Sequence, residues 1–141
     1  MSMKQRFAAL ALVALVASIG WGADSAAAPT QKSGRLIKLY DNRHGIPVYF
    51  IKDSLVKGAA FIQIDSLSDH EPSDTSGAKS STALTRFKCG KKEVLVVDIV
   101  LYPESGGRGR AMKRLLNPDT SFKPVQRGSE HEYMLTVACA L

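Results

Sequence analysis

The run Val94–Tyr102 contains one charged residue, Asp98, among eight apolar or aromatic ones. A strand with one solvated face alternates, so a β-branched run that is apolar on both faces belongs at the centre of a sheet or under a helix. The rest of the chain must cover it. Asp98, in its middle, must be paired or protonated if buried, and Arg86, Arg110 and Arg114 are the cations that neighbouring strands could bring to it. A general acid or base in a cleft is the functional alternative for this carboxylate.

The cover is legible near the end of the chain. Ser129-Glu130-His131-Glu132 fits a capping box, in which the Ser129 hydroxyl accepts from the third helical N–H and Glu132 reaches back to the cap. Two carboxylates in the first turn also suit the helix dipole. Glu130 to Ala140 therefore reads as a short terminal helix, with Tyr133, Val137 and Ala140 near one stripe and Leu135, Ala138 and Cys139 beside it. The chain has two cysteines, Cys89 and Cys139. In an oxidising compartment their default reading is one disulfide, with two buried free thiols as the alternative. Joining them would pin the helix across the sheet.

The first residues place the chain in such a compartment. Lys4 and Arg6 precede an apolar run from Ala8 to Ile19, and Ser25-Ala26-Ala27-Ala28 follows before the first proline. This is the pattern of a secretory signal peptide, 1–27, with cleavage after Ala27. The apolar run is shorter than the roughly 18 to 20 residues of a membrane span. Trp21 would leave with the signal. No Cys follows the run, so the expectation is an exported protein that is not a lipoprotein, either periplasmic or secreted, with the cell surface as a further alternative. A flexible leader, 28–34, then precedes one small domain, 35–141.

The domain reads as strands followed by the helix, an α+β class. Arg35–Tyr40 and Val48–Ile51 flank the turn residues Asp41-Asn42-Arg43-His44-Gly45 and form a hairpin. Asp53-Ser54-Leu55-Val56 makes about one irregular turn, and Lys57-Gly58 reverses the chain. Ala59–Leu67 alternates, with Ala60, Ile62 and Ile64 on one face and Gln63 and Asp65 on the other. Ser66–Ser81, rich in Ser, Asp, Gly and Pro, is the expected mobile loop. Thr82–Lys88 is a strand, Gly90-Lys91-Lys92 a tight turn into the apolar run, and Arg108–Leu116 a strand pairing back after Pro103–Gly107. Phe122–Gly128 is irregular.

The formal net charge of the whole chain is +6. Arg108, Arg110, Lys113, Arg114, Lys123 and Arg127 concentrate in the last third, while Asp65, Asp69, Glu71 and Asp74 are central. On an exported protein such a basic surface fits an anionic lipid, a polysaccharide or an acidic protein rather than nucleic acid, with plain solvation as the bland alternative. His44, His70 and His131 lack the spacing of a zinc motif and read as independent, solvated side chains. The central acids do not follow the calcium-loop order. Gly106-Gly107-Arg108-Gly109 lacks the phosphate-loop patterns and reads as a hairpin turn, and there is no G-x-S-x-G elbow. No cofactor, metal or catalytic residue is expected, leaving a small hydrolase around Asp98 and a histidine as the outlying reading.

Several segments together resemble the surface-adhesin protein E-like family. They are Tyr49-Phe50-Ile51 followed by Asp53-Ser54-Leu55, Cys89 opening the strand that ends at Tyr102, Phe122-Lys123-Pro124-Val125, Gly128-Ser129-Glu130, and Cys139 near the terminus. The resemblance runs from about Arg35 to Cys139. It implies an antiparallel sheet of about six strands with a C-terminal helix held by the Cys89–Cys139 disulfide. It also implies binding to host matrix proteins, since the founding member is a bacterial surface adhesin. Two departures are visible: Phe122 stands where the family commonly has Trp, and the lipid-attachment Cys of the founding adhesin has no counterpart. The expected function is a non-catalytic binding domain that contacts a host matrix protein or an envelope polyanion. The alternative is a periplasmic accessory or stress-related domain.

Overall fold

The computed structural model describes residues 34–72 and 75–141. The expected signal peptide 1–27 with Trp21, most of the leader 28–34, and Asp74 lie outside the described residues. The elements in chain order are β1 Leu36–Asp41, β2 Pro47–Ile51, β3 Val56–Lys57, β4 Ile62–Asp69, β5 Ser80–Lys88, β6 Glu93–Tyr102, β7 Lys113–Leu116, β8 Lys123–Pro124 and the helix α1 Glu130–Ala140. Short 3-10 turns occupy Lys52–Ser54 and Ser105–Gly107. All strands join one antiparallel sheet in the order β1-β2-β4-β5-β6-β7, with β3 paired to β4 and β8 to β6. The main path thus has the expected six strands, and two short ones lie off it.

Local chemistry accounts for the connections. The Asn42 side-chain oxygen accepts from the amides of His44 and Ile46, each at 3.0 Å, which closes the β1–β2 hairpin. Gly58 N–H donates to the Phe61 carbonyl at 2.9 Å, reversing the chain between β3 and β4. Ser129 caps α1 by accepting from the Glu132 amide at 3.3 Å. The Glu132 carboxylate reaches one residue further back than expected and accepts from Gly128 N–H at 2.6 Å.

Four expectations need correction. The segment Ser66–Ser81 is not one loop: Ser66–Asp69 ends β4 and Ser80 begins β5, leaving the 70–79 connection. Ser66, Ser68 and Ser80 are strand residues paired across to Ala83, Ser81 and Tyr102. The strand expected over Ala59–Leu67 begins at Ile62, because Ala59 and Ala60 belong to the reversal. The strand expected over Arg108–Leu116 is confined to Lys113–Leu116. In α1 the buried residues are Met134, Leu135 and Ala138, while Tyr133 is exposed.

The core lies between α1 and one face of the sheet. Phe50, Ile64, Phe87 and Val94 meet Met134, Leu135 and Ala138 there. On the other face Leu67, Thr82, Val100 and Tyr102 are buried. That face is covered by the 103–112 loop, whose Gly107 sits against Leu67 and Thr82.

A bulge in β6 sets which residues face which side. Leu84 pairs with Asp98 and Thr85 with Val96, so Val97 is an extra residue. Val94 and Val96 share the α1 face with Phe87 and Thr85. The extra residue advances the alternation by one, and Asp98, Val100 and Tyr102 therefore point to the opposite face.

The disulfide holds the two layers together. Cys89, just past β5, is bonded to Cys139 in the last turn of α1, with Cα atoms 5.8 Å apart and a sequence separation of 50. Closing a loop of that length stabilises a fold by about 4 kcal/mol in the chain-entropy model. Replacing both cysteines with serine is expected to lower unfolding stability by about that amount, measured by urea titration. An unchanged midpoint would mean that packing alone seats the helix.

Candidate functional site

The basic residues of the last third are positioned by the connection between β6 and β7. The Ser80 hydroxyl donates to the Glu104 carbonyl at 2.5 Å and accepts from Gly107 N–H at 2.8 Å. Gly106 N–H donates to Asp69 at 2.7 Å. Gly107 has φ of +69°, and a Cβ there would stand 3.2 Å from the Leu67 Cδ1, so only glycine lets the loop lie this close to the sheet. Arg108 then bridges back to Glu104, and its Nε donates to the Ser105 carbonyl at 3.0 Å. The loop is thereby bolted to β4 and β5 and presents exposed Arg108 and Arg110 shortly before the chain enters β7 at exposed Lys113.

Arg114 has a different role. Of the three candidate partners for Asp98 it is the one used: its Nε donates to Asp98 Oδ2 at 2.9 Å, and its Nη2 donates to the same oxygen. The Asp98 side chain is 2% exposed and that of Arg114 is 57% exposed. The two share a face because β7 pairs regularly with β6 beyond the bulge, with Leu116 opposite Asp98 and Arg114 opposite Val100. Arg86 instead donates to Gln63 at 2.9 Å and lies 4.6 Å above the Phe61 ring.

Lys123 and Arg127 lie apart from these residues. Lys123 pairs with Val94 and Lys113 with Leu101, which places them about 20 Å apart along β6 at the usual strand rise. Lys123 is 2.9 Å from Asp119. The Ser121 hydroxyl, and then Lys123, hold the Asp119 carboxyl well below the usual carboxylate range. Neighbouring Phe122 is half-buried against Phe61, with ring centres 6.4 Å apart, and Lys88 stands 4.1 Å above it. The sequence-predicted patch thus separates into a group at the β6–β7 end, Arg108 to Arg114, and a second at the β8 end.

The α1 side of the sheet carries hollows that the sequence did not reveal. One of about 320 Å³ has Ser66, Ser68 and Ser81 on its floor and Tyr40, Glu130 and His131 on its walls. The adjoining hollow, about 560 Å³, includes His44, His70 and Glu71. His44 Nδ1 is 3.0 Å from Glu71 Oε1, and His70 Nε2 is 3.0 Å from the Ser81 hydroxyl. The expectation of independent, solvated histidines is therefore corrected, because all three line one pair of hollows and two have specific partners. Among the described residues no group of three His, Cys, Asp or Glu side chains is placed to hold a metal ion. Asp98 points to the opposite face of the sheet, so it forms no pair with His70 or His131. A further hollow of about 440 Å³ follows the open stretch of β6 between β7 and β8. Asn117 closes one side of it by donating through its amide side chain to the Val96 carbonyl at 2.8 Å.

Tyr40 ties β1 to α1 at the wall of the first hollow. Its hydroxyl donates to Glu130 at 3.3 Å, and its ring centre is 6.0 Å from that of Tyr133. Burial, followed by the charge of Glu130, pushes the phenol pKa well above its ordinary 10.0. The folded chain then holds the phenolic proton where the unfolded chain releases it. Stability is unaffected below about pH 10 and falls as pH rises above it. Tyr40→Phe is expected to flatten this alkaline loss, measured by melting temperature between about pH 8 and pH 11.

Replacing Arg114 with Met would leave the Asp98 carboxylate buried beside an apolar chain. A fully buried pair broken in this way costs about 3–5 kcal/mol, and the exposure of the Arg114 side chain brings the expectation to about 2 kcal/mol. Asp98→Asn, which retains an acceptor, is expected to lose less. Equal losses from both variants in urea unfolding would contradict the buried ion pair.

No helix among the described residues is long and apolar enough to cross a membrane. No curated protein matches the chain. Among solved structures it is similar to Haemophilus influenzae protein E in crystal form II, with 17% identity, a TM-score of 0.57, and coverage of 81% of this chain and 94% of that one. It is also similar to protein E from non-typeable Haemophilus influenzae, with 17% identity, a TM-score of 0.56 and coverage of 81% of each chain. At this identity the likeness establishes the shared fold. The family model for surface-adhesin protein E matches residues 37–140, which span every strand but the first residue of β1 together with the disulfide and the whole helix, and the chain belongs to that family.

Proposed function

We propose that this chain is an exported, non-catalytic binding domain that contacts an anionic partner, either a host matrix protein or an envelope polyanion, through the basic surface at the β6–β7 end of its sheet. The observation that carries this reading is the loop that presents Arg108 and Arg110. It is fastened by Ser80, Asp69 and Gly107, so those cations and Lys113 project from a rigid support. Arg114 contributes position more than charge, because Asp98 matches it. Lys123 and Arg127 form an outlying flank that a long polyanion could reach in addition.

Family membership supports an adhesin-like binding role, and the sequence's signal-peptide pattern supports export. Reversing Arg108, Arg110 and Lys113 together to Glu is expected to weaken binding to a sulfated polysaccharide at least tenfold while leaving the melting temperature close to that of the parent. The remaining binding should depend less on salt. Undiminished binding by the folded triple variant would remove the patch. Protease shaving of intact cells addresses the partner. Release of peptides from the 70–79 connection without lysis favours a host molecule, and release only after the envelope is opened favours a periplasmic polyanion or accessory role.

A further inference from the structure

The two open edges of the sheet are built differently. At the β1 edge a register shift between Lys38 and Tyr40 interrupts the strand, and Lys38 and Asp41 pair at 2.7 Å. A bulge, a short strand and charged side chains are common devices for preventing an edge from pairing with another chain. The β7 edge is short and has no bulge, and its charges, Lys113 and Arg114, are both cationic, so they repel a basic chain and attract an acidic one. Its pairing with β6 is regular from Lys113 to Leu116, and all four of its residues are exposed. It also carries exposed apolar side chains, with Met112 at 49%, Leu115 at 40% and Leu116 at 68%.

We propose that the β7 edge is a strand-addition site, on which an extended acidic and apolar segment of another protein pairs as a further antiparallel or parallel strand. This rests on the basic-surface reading and specifies how the partner is held. In strand addition the main chain supplies affinity, and side chains on alternate faces supply choice. Lys113 and Leu115 lie on the α1 face of the sheet, and Arg114 and Leu116 on the other, so each face offers one cation and one leucine. Arg108 and Arg110 extend the positive field beyond the start of the strand. A partner strand with one acid and one apolar residue on each face would match both.

Charge also argues against the obvious alternative occupant. A second copy pairing edge to edge would bring two sets of Arg108, Arg110 and Lys113 into one short ladder with no acid in β7 to offset them. The leader of the chain contains Lys32 and no acid, so it does not fit the edge either.

The test uses the folded domain and two synthetic ten-residue peptides built on a Glu-Glu-Val-Val repeat, which places an acid and an apolar residue in turn on each face of a strand, one peptide ordinary and one methylated at every backbone nitrogen. Both carry the same charge, and only the first can donate main-chain hydrogen bonds. The expected result is at least tenfold weaker binding of the methylated peptide. The ordinary peptide should also give new hydrogen-exchange protection confined to residues 112–117. Equal binding of the two peptides, abolished by the Arg108, Arg110 and Lys113 reversal, would keep the basic surface and overturn strand addition. If neither peptide binds and the reversal also leaves polysaccharide binding unchanged, both readings fall. Concentration-dependent self-association with the same protection in the absence of peptide would make a second copy the occupant and overturn the proposal.

Discussion

The bond between Cys89 and Cys139 is the constraint on which the two-layer arrangement depends. An isolated helix of eleven residues is marginal in water, and α1 buries only Met134, Leu135 and Ala138. Those side chains nevertheless close the cluster around Phe50, Ile64, Phe87 and Val94. The bond sets the helix over the β5–β6 turn end of the sheet, while Tyr40 holds its first turn against β1. Between those attachments the sheet is incompletely covered, and the serine-floored hollow occupies the gap. The same tether that completes the core leaves a concave surface beside it.

The opposite face is closed by chain rather than by a helix. Ser80 is fully buried yet satisfied, because its hydroxyl serves the Glu104 carbonyl and the Gly107 amide together. A buried polar group with both partners in place fixes a loop more sharply than apolar contact alone. Cover for Val100 and Tyr102 and presentation of Arg108 and Arg110 are therefore two results of one folded segment. Stability on the inner side and charge on the outer side are built from the same ten residues.

How much of this could be read from the sequence follows the range of the forces involved. The helix bounds, its cap and the β1–β2 hairpin depend on residues within a few positions of one another, and they were legible. The crowding of cations at Arg108–Arg114 was visible for the same reason. The strand serines were misread because Ser66, Ser68 and Ser80 look like loop chemistry until their partners across the sheet are known. Met134 is buried and Tyr133 exposed because the helix is apolar around much of its circumference, and only the sheet decides which stripe faces inward. The choice of Arg114 over Arg86 or Arg110 for Asp98 needed the register, which no local pattern carries. Likewise, the splitting of the basic patch depends on where β7 and β8 join β6, two pairings of long sequence separation.

Val97 is the smallest of these features and has the widest reach. It is an insertion that the sheet absorbs: the bulge takes up one residue that has no partner of its own across the ladder, so the residues after it keep the faces and partners they would have in a chain one residue shorter. Were Val97 paired as an ordinary strand residue instead, Asp98 would turn toward the apolar layer under α1, and Leu116, Leu115 and Arg114, which pair with that part of β6, would change faces with it. Chains of this family that lack the extra residue would keep the same polar and apolar order after it. A one-residue gap in an alignment here therefore marks the bulge and leaves the charged side of the molecule where it is.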